Sequence, residues 1–357
     1  VLMGGGTGLI GDPSGRRSER PLLSPEELRG NLERQRAQLM RFLDFANDRA
    51  LLRDNADWLG PARLVEFLRD VGKHFTINVM LQKESVEARL DSGLSFTEFS
   101  YMLLQAYDFL QLFEREQCTL QVGGSDQWGN ITAGVDLVRR VKAAEVHGLV
   151  APLITTAAGA KFGKSEEGAI YLDPALTSPY KFHQFWINTD DRDIEPYLKL
   201  FSLRTRDGPE GIDALMQRHR TDPAQREAQH RLAIEVTERV HGKSVTESVV
   251  AASAILFSEW DPKRVAPEAF DVLAREIPTA PVGAIDGLSL VDALVTVGLV
   301  KSKSDARRQI EQGGVYVNQQ RETDANRVLG SADLLAGRNV VVRKGKKDYG
   351  LLRVAQS

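Results

Sequence analysis

One cysteine in 357 residues, Cys118, leaves no partner for an internal disulfide and too few thiols for a cysteine-based zinc site. A reducing, cytoplasmic setting is the expectation. Histidine is also sparse. His219, His230 and His241 recur at a spacing of eleven without a matching carboxylate cluster, so no metal site is expected. No run is apolar enough to span a membrane and no signal-peptide pattern is present, so no membrane partner is expected. The chain opens with Val1-Leu2-Met3 and passes straight into Gly4-Gly5-Gly6, like the end of a strand entering a loop. A sheet seldom begins there, and N-terminal sequence is expected to be missing. What remains is a composition of 42% hydrophobic and 27% charged residues, ordinary for a globular chain whose length suggests two or three domains. The net charge of -3 hides an asymmetry: residues 287–357 carry 12 Lys+Arg against 7 Asp+Glu, a local +5, which leaves -8 for the rest. A basic tail on an acidic body points to an anionic partner for the tail.

Ser100 to Leu110 reads as a helix that is apolar nearly all round, and such helices are buried. At about 100° per residue, Tyr101, Gln105 and Asp108 share one narrow stripe of it. Buried polar groups need partners. Two readings are open from the helix alone: an internal hydrogen-bonded network, or a small polar ligand lying along the stripe.

Two glycine-rich loops flank this helix in sequence. Gly6-Thr7-Gly8-Leu9-Ile10-Gly11 matches a dinucleotide fingerprint, but Asp12-Pro13-Ser14-Gly15 follows as a turn where that fingerprint needs a helix. A P-loop would need Lys-Ser/Thr after Gly11, and Asp12-Pro13 stands there instead. Asp12 is either an ordinary Asx turn or a carboxylate for a substrate ammonium. Arg16, Arg17 and Arg20 are solvated charges or mobile phosphate clamps. The second loop, Gly123-Gly124-Ser125-Asp126-Gln127-Trp128-Gly129-Asn130, lies between an alternating strand, Cys118–Val122, and a helical stretch, Ile131–Val146. Such a turn sits at the carboxyl end of a strand, where open α/β sheets bind ligands. Asp126 and Gln127 suit ribose hydroxyls or an α-carboxylate; the alternative is that Asp126 caps the following helix. Further on, Lys161-Phe162-Gly163-Lys164-Ser165 sets two lysines on a loop, either as a solvated basic turn or as positive charge for a departing pyrophosphate.

Taken together, these stretches resemble bacterial tyrosyl-tRNA synthetase, a class I aminoacyl-tRNA synthetase family. Lys161-Phe-Gly-Lys164-Ser165 resembles the KMSKS motif in its KFGKS form. Gly123–Ile131 is similar to the family's ribose-binding loop, Tyr101–Asp108 to its tyrosine-pocket helix, and Thr7–Gly15 to its opening loop. Thr177–Thr189 resembles the entry of its helical domain, and the motifs keep the family's order over nearly the whole chain.

The resemblance implies an α/β architecture: a Rossmann-like parallel-sheet catalytic domain over 1–176, N-terminally incomplete, a helical anticodon-side domain over 177–277, a linker over 278–286 and an S4-like RNA-binding domain over 287–357. It implies that Asp12, Tyr101 and Gln105 hold the tyrosine α-ammonium and that Asn55 supports that end. Asp108 would accept the phenol, and Gly124, Asp126 and Gln127 would face the ribose and the amino-acid carboxyl. Lys161, Lys164 and Ser165, with Arg16 and Arg20, would stabilise the pyrophosphate. ATP is then a substrate accompanied by Mg²⁺, and L-tyrosine and tRNA(Tyr) are the other partners. A homodimer is implied, its partner packing near residues 55–99. No His-x-Gly-His occurs in the 357 residues, whereas the family carries its HIGH motif in an N-terminal strand-loop-helix. Without that motif, little or no tyrosine-dependent ATP–pyrophosphate exchange is expected of this chain. Two other readings are a non-catalytic S4-type RNA-binding protein and a tryptophan-specific relative; the Tyr101, Gln105 and Asp108 set argues against the latter.

Ser24-Pro25-Glu26-Glu27 reads as a capped helix start, and Leu81–Leu90 as helical. Beyond the lysine loop, Tyr180–Phe201, Gly208–His219, Ala224–His241 and Glu247–Phe257 read as successive helices, and Pro278-Thr-Ala-Pro281-Val-Gly283 as a linker. In the tail, Ser289–Val297 and Ser304–Gln312 read as helices, and Asn339–Lys347 as a basic hairpin-like end. Lys301, Lys303, Arg307, Arg308, Lys344, Lys346 and Lys347 are the expected phosphate contacts, against the plain alternative of a solvated basic surface.

Overall fold

A computed structural model describes residues 1–13, 21–83, 86, 93–159, 162–165, 168–258, 260–261 and 265–355. The chain divides into two compact units, Val1–Phe162 and Gly163–Ser357. Arg16, Arg17, Arg20 and Lys161, with most of a helix expected over Leu81–Leu90, lie outside the described residues.

The first unit is built on two short parallel strand pairs. Strand β1 (Leu2–Met3) pairs with β2 (Arg53–Asp54), and between them α1 (Pro25–Phe42) starts from a Ser24 cap whose hydroxyl accepts from Glu27 N–H while the Glu27 carboxylate accepts from Ser24 N–H. Pro25 at the first helical position completes the expected start signal. After β2 come three short helices, α2 (Ala56–Leu59), α3 (Leu64–Asp70) and α4 (Ile77–Leu81). The polar-striped helix α5 spans Phe96–Glu116, capped by Ser95, whose hydroxyl accepts from Glu98 N–H. It ends where Gln117 turns left-handed. Strand β3 (Leu120–Gly124) then leads through a single tight turn, Ser125–Gln127, into α6 (Trp128–Lys142), and β4 (His147–Ala151) returns parallel to β3. The strand–turn–helix read from the second glycine loop is therefore present.

The core of this unit is the contact of α5 with α6, where Ala106, Phe109, Leu137 and Val138 are essentially inaccessible. Gly134 makes the close approach possible. A methyl there would meet the Phe109 side chain at 3.0 Å, tighter than ordinary packing.

The second unit opens with a small antiparallel pair, β5 (Lys164–Ser165) and β6 (Gly168–Ala169). Six helices follow: α7 (Pro179–Ile187), α8 (Asp191–Phe201), α9 (Ile212–Thr221), α10 (Glu227–His241), α11 (Lys243–Phe257) and α12 (Pro267–Glu276). The single helix expected over Tyr180–Phe201 is broken at Asn188–Asp190. There Asp190 leaves helical geometry, and its carboxylate accepts from Arg192 N–H and pairs with the Arg192 guanidinium.

The segment expected as a linker is also ordered differently. Thr279–Val282 forms β7, hydrogen-bonded in parallel to β11 (Asp348–Val354), because its alternating Ala280 and Val282 are buried against the sheet. The five-stranded sheet runs β7-β11-β10-β8-β9, with β8 at Val315–Val317, β9 at Gln320–Glu322 and β10 at Asn339–Lys344. The stretch read as hairpin-like, Asn339–Lys347, supplies β10 and the turn, while β11 lies beyond it; the two helices read from the sequence form as α13 (Leu290–Thr296) and α14 (Lys303–Glu311) and pack on the sheet. Helices and sheet share a core: Val249, Ile255, Phe270 and Leu273 pack with Val341 and Leu351.

Candidate active site

The opening loop after β1 and the chain after β2 meet through hydrogen bonds from backbone to side chain. Gly5 N–H donates to the Asp54 carboxylate at 2.9 Å, and Gly6 N–H to Asn55 Oδ1 at 2.7 Å. A side chain at Gly5 would collide with that carboxylate, which explains a glycine there. Asn55, itself buried, turns its amide nitrogen to Thr7 Oγ1 at 2.8 Å and to Asp108 Oδ2 at 3.0 Å.

Asp108 is therefore held from both sides. The indole N–H of Trp58 donates to its other oxygen, Oδ1, at 2.7 Å. Asn55 and Trp58 lie three apart, so one helical turn presents both donors. Only 3% of Asp108 is exposed, and burial pushes its carboxyl up to about 6. The two hydrogen bonds pull the other way, and the charge of Asp54 adds to the rise. Part of the polar stripe on α5 is thus an internal network, as one of the two sequence readings had it. Asn55 stands at the carboxylate expected to read the phenol, not at the end marked by Asp12 and Gln105.

A second group gathers at that other end. Gln127 Nε2 donates to Asp12 Oδ2 at 2.8 Å and lies 3.3 Å from Asp126 Oδ2. Asn130 Nδ2 donates to Gln105 Oε1 at 2.9 Å and lies 3.5 Å from Gln127 Oε1. The two glycine-rich loops thereby converge on α5, bringing Asp12, Gln105, Asp126 and Gln127 together as the sequence suggested. Tyr101, on the same stripe, is buried. The alternative reading of Asp126 as a helix cap is not what forms: α6 begins after Gln127 with no side-chain cap. Trp58 and Asn130 were not singled out by sequence reasoning. Both sit inside stretches it marked, and their only signal was spacing from a marked neighbour.

The arrangement presents one desolvated carboxylate, two further carboxylates with amides at the other end of the stripe, and glycine-rich backbone at two strand ends. That set suits a ligand with a hydroxyl at one end and an ammonium and carboxyl at the other. Among the described residues, no three His, Cys, Asp or Glu side chains are grouped to hold a metal ion.

In the second unit Lys164 and Ser165 form β5. The basic candidates of the tail differ in how committed they are. Lys303 pairs with Asp292 at 2.6 Å, Arg308 with Asp305 at 2.6 Å, and Lys344 donates to Leu299 O at 2.6 Å and faces Asp348 at 3.4 Å. Lys301, Arg307, Lys346 and Lys347 are exposed. Lys346 and Lys347 line a cleft of about 600 Å³ with Trp260, Tyr349 and Arg343, whose guanidinium lies 3.9 Å from the Tyr316 ring centroid.

A family model described as tRNA synthetases class I (W and Y) matches residues 1–258, and one described as a tyrosine–tRNA ligase SYY-like C-terminal domain matches residues 269–352. A tyrosine–tRNA ligase of Anaeromyxobacter dehalogenans is 54% identical over 99% of this chain and 84% of its own length. One from Geobacillus stearothermophilus is 49% identical over the same shares. Among solved structures, a C-terminally truncated mitochondrial tyrosyl-tRNA synthetase of Aspergillus nidulans superposes with a TM-score of 0.63 at 33% identity, covering 72% of this chain and 76% of that one. The chain is therefore a class I tRNA synthetase of the group that includes the tyrosine and tryptophan enzymes. Within that class, the chain belongs to the tyrosine–tRNA ligase family.

Proposed function

We propose that the chain activates L-tyrosine with ATP and passes the tyrosyl group to the 3′ end of tRNA(Tyr). In the first step a tyrosine carboxylate oxygen bonds to the α-phosphorus and pyrophosphate leaves; in the second a tRNA ribose hydroxyl takes the tyrosyl group and AMP leaves. No covalent enzyme intermediate is needed, so the work is positioning and charge stabilisation.

The observation that carries this reading is Asp108. A buried carboxylate held at both oxygens by Asn55 and Trp58 is a rigid acceptor for one more hydroxyl. A phenol satisfies it, whereas phenylalanine leaves it desolvated without gain; tryptophan also has a donor, its indole N–H, and is separated from tyrosine by ring shape and not by want of a donor. Asp12, Tyr101 and Gln105 take the ammonium, while Gly124, Asp126 and Gln127 face the ribose and the carboxyl. The pyrophosphate falls by family resemblance to Lys161, Lys164 and Ser165, with Arg16 and Arg20. Mg²⁺ enters on the ATP phosphates rather than in a protein cage.

The exposed apolar side chains Leu64, Val65, Leu68, Ile77, Val79 and Phe96, all within residues 55–99, support a homodimer built on this segment of the first unit. No helix among the described residues is long and apolar enough to cross a membrane, and we place the protein in the cytoplasm. The tail, through Lys346, Lys347, Arg307 and the aromatic-lined cleft, would take the RNA.

Calorimetry with tyrosine, phenylalanine and tryptophan tests the reading at the binding step. Tyrosine should bind at least roughly tenfold tighter than either competitor. In Asp108→Asn the preference over phenylalanine should collapse. Equal affinity of the unsubstituted chain for all three would overturn the assignment.

A further inference from the structure

A side-chain amide is nearly symmetrical in shape and opposite in chemistry at its two ends. One end accepts and the other donates, and a half-turn about the last bond exchanges them. An amide that must receive an ammonium has to keep its oxygen forward. Nothing in glutamine itself enforces this, so the enforcement has to come from its neighbours.

At the loop-bound end of α5 the neighbours form a chain of fixed polarity. Two carboxylates start it. Gln127 Nε2 points to Asp12 Oδ2 at 2.8 Å and Asp126 Oδ2 at 3.3 Å, and only the nitrogen end of an amide can face two carboxylates. Its oxygen is thereby turned towards Asn130, 3.5 Å from Nδ2. The same Asn130 nitrogen donates to Gln105 Oε1 at 2.9 Å. A reversed Gln105 would set its own NH₂ against the Asn130 NH₂, a contact with no hydrogen bond in it. Asn130 is 5% exposed, in the first turn of α6, so its position is set by packing.

We propose that Asn130 is a positioning residue which fixes the Gln105 amide with its oxygen available to the α-ammonium of the amino acid. The carbonyl oxygen has two lone pairs; one takes the Asn130 donor and the other serves the ligand. The inference rests on the tyrosine reading of the site. It gives a definite role to the asparagine that ends the Gly-Gly-Ser-Asp-Gln-Trp-Gly-Asn loop. It also predicts that the role concerns one end of the ligand only.

The test compares L-tyrosine with 3-(4-hydroxyphenyl)propanoate, which keeps the phenol and carboxylate and lacks the ammonium. Both are titrated calorimetrically into the full chain. In Asn130→Ala, tyrosine should weaken roughly tenfold, as for loss of a hydrogen bond to a charged group, while the ammonium-free acid changes less than about twofold. The same substitution in a Gln105→Glu background should cost tyrosine less than about twofold, because a carboxylate presents oxygen whichever way it turns. Asn130→Ser, which keeps a hydroxyl in the buried position, is read with the same ligand pair if the alanine variant does not fold. Equal weakening of both ligands, or an undiminished loss in the Gln105→Glu background, overturns the inference and makes Asn130 a packing residue. A chain that binds no tyrosine before any substitution overturns the functional reading and the inference with it.

Discussion

Asp108 carries two consequences at once, one for the ligand and one for the fold. Its carboxyl, at about 6, lies above the ordinary aspartate value, so the folded chain holds this proton more tightly than the unfolded one. The associated stability is fully present below the unfolded value and is lost as pH rises towards 6. Urea unfolding of the chain and of Asp108→Asn across that window should therefore show a difference between the two that drifts by up to about 3 kcal/mol, the native chain losing ground as pH rises. A flat difference would mean that the carboxyl titrates normally. Trp58→Phe removes one of the two donors that favour the carboxylate, and should shift the midpoint of pH-dependent tyrosine binding upward. The kinds of residue at this site were legible in the sequence: a carboxylate and an amide on one buried stripe, with a further carboxylate in each glycine loop. The donors to Asp108 were not. An indole reads as apolar bulk until its N–H is seen to meet an oxygen, and that the Asn55 amide nitrogen meets Asp108 Oδ2 is a contact 53 positions away in sequence that no local window contains.

Elements were easiest to read where periodicity and punctuation agreed. The capped start of α1 and the strand, glycine turn and helix from β3 to α6 are such cases, as is the basic stretch of β10 and its turn. They were hardest where a short polar break sits inside a long periodic run, as between α7 and α8. There Asp190 caps a new helix that hydrophobic spacing alone runs into the old one. The helix α12 and the strand β7 were missed for a related reason. Proline and glycine near residues 278–283 suggested a linker, whereas pairing with β11 is a long-range contact that no local window contains. At this scale Gly134 is the sharpest test. Gly134→Val would force the α5–α6 contact apart and should destabilise the chain by roughly 1–3 kcal/mol in urea unfolding, with unchanged preference for tyrosine over phenylalanine.

For the whole molecule, the predictions concern assembly and RNA. Val65, in the segment proposed to carry the dimer contact, is 77% exposed. Val65→Glu should turn the proposed dimer into a monomer by sedimentation, and a species of unchanged mass would remove this face from the interface. Arg307→Ala should lower the slope of log affinity for tRNA against log salt by about one, whereas Arg308→Ala, already paired with Asp305, should change it less. The basic charge of the tail was plain from composition. Which of its cations remain uncommitted was not, because Lys303, Arg308 and Lys344 find partners that only the fold supplies.

The placement of β11 between β7 and β10 has a consequence for the order in which the chain assembles. Thr279 must wait for Leu351, and until that partner arrives the sheet has neither its parallel edge nor a lid for the core shared with α11 and α12. Parallel pairing across so long a stretch of chain closes slowly. The helices of the second unit can form early from local contacts, but their packing is sealed only when the final strand slides in. We expect that junction to become native late: in pulsed hydrogen exchange during refolding, the amides of β7 and β11 should gain protection after those of α10 and α11, and simultaneous protection would overturn this order.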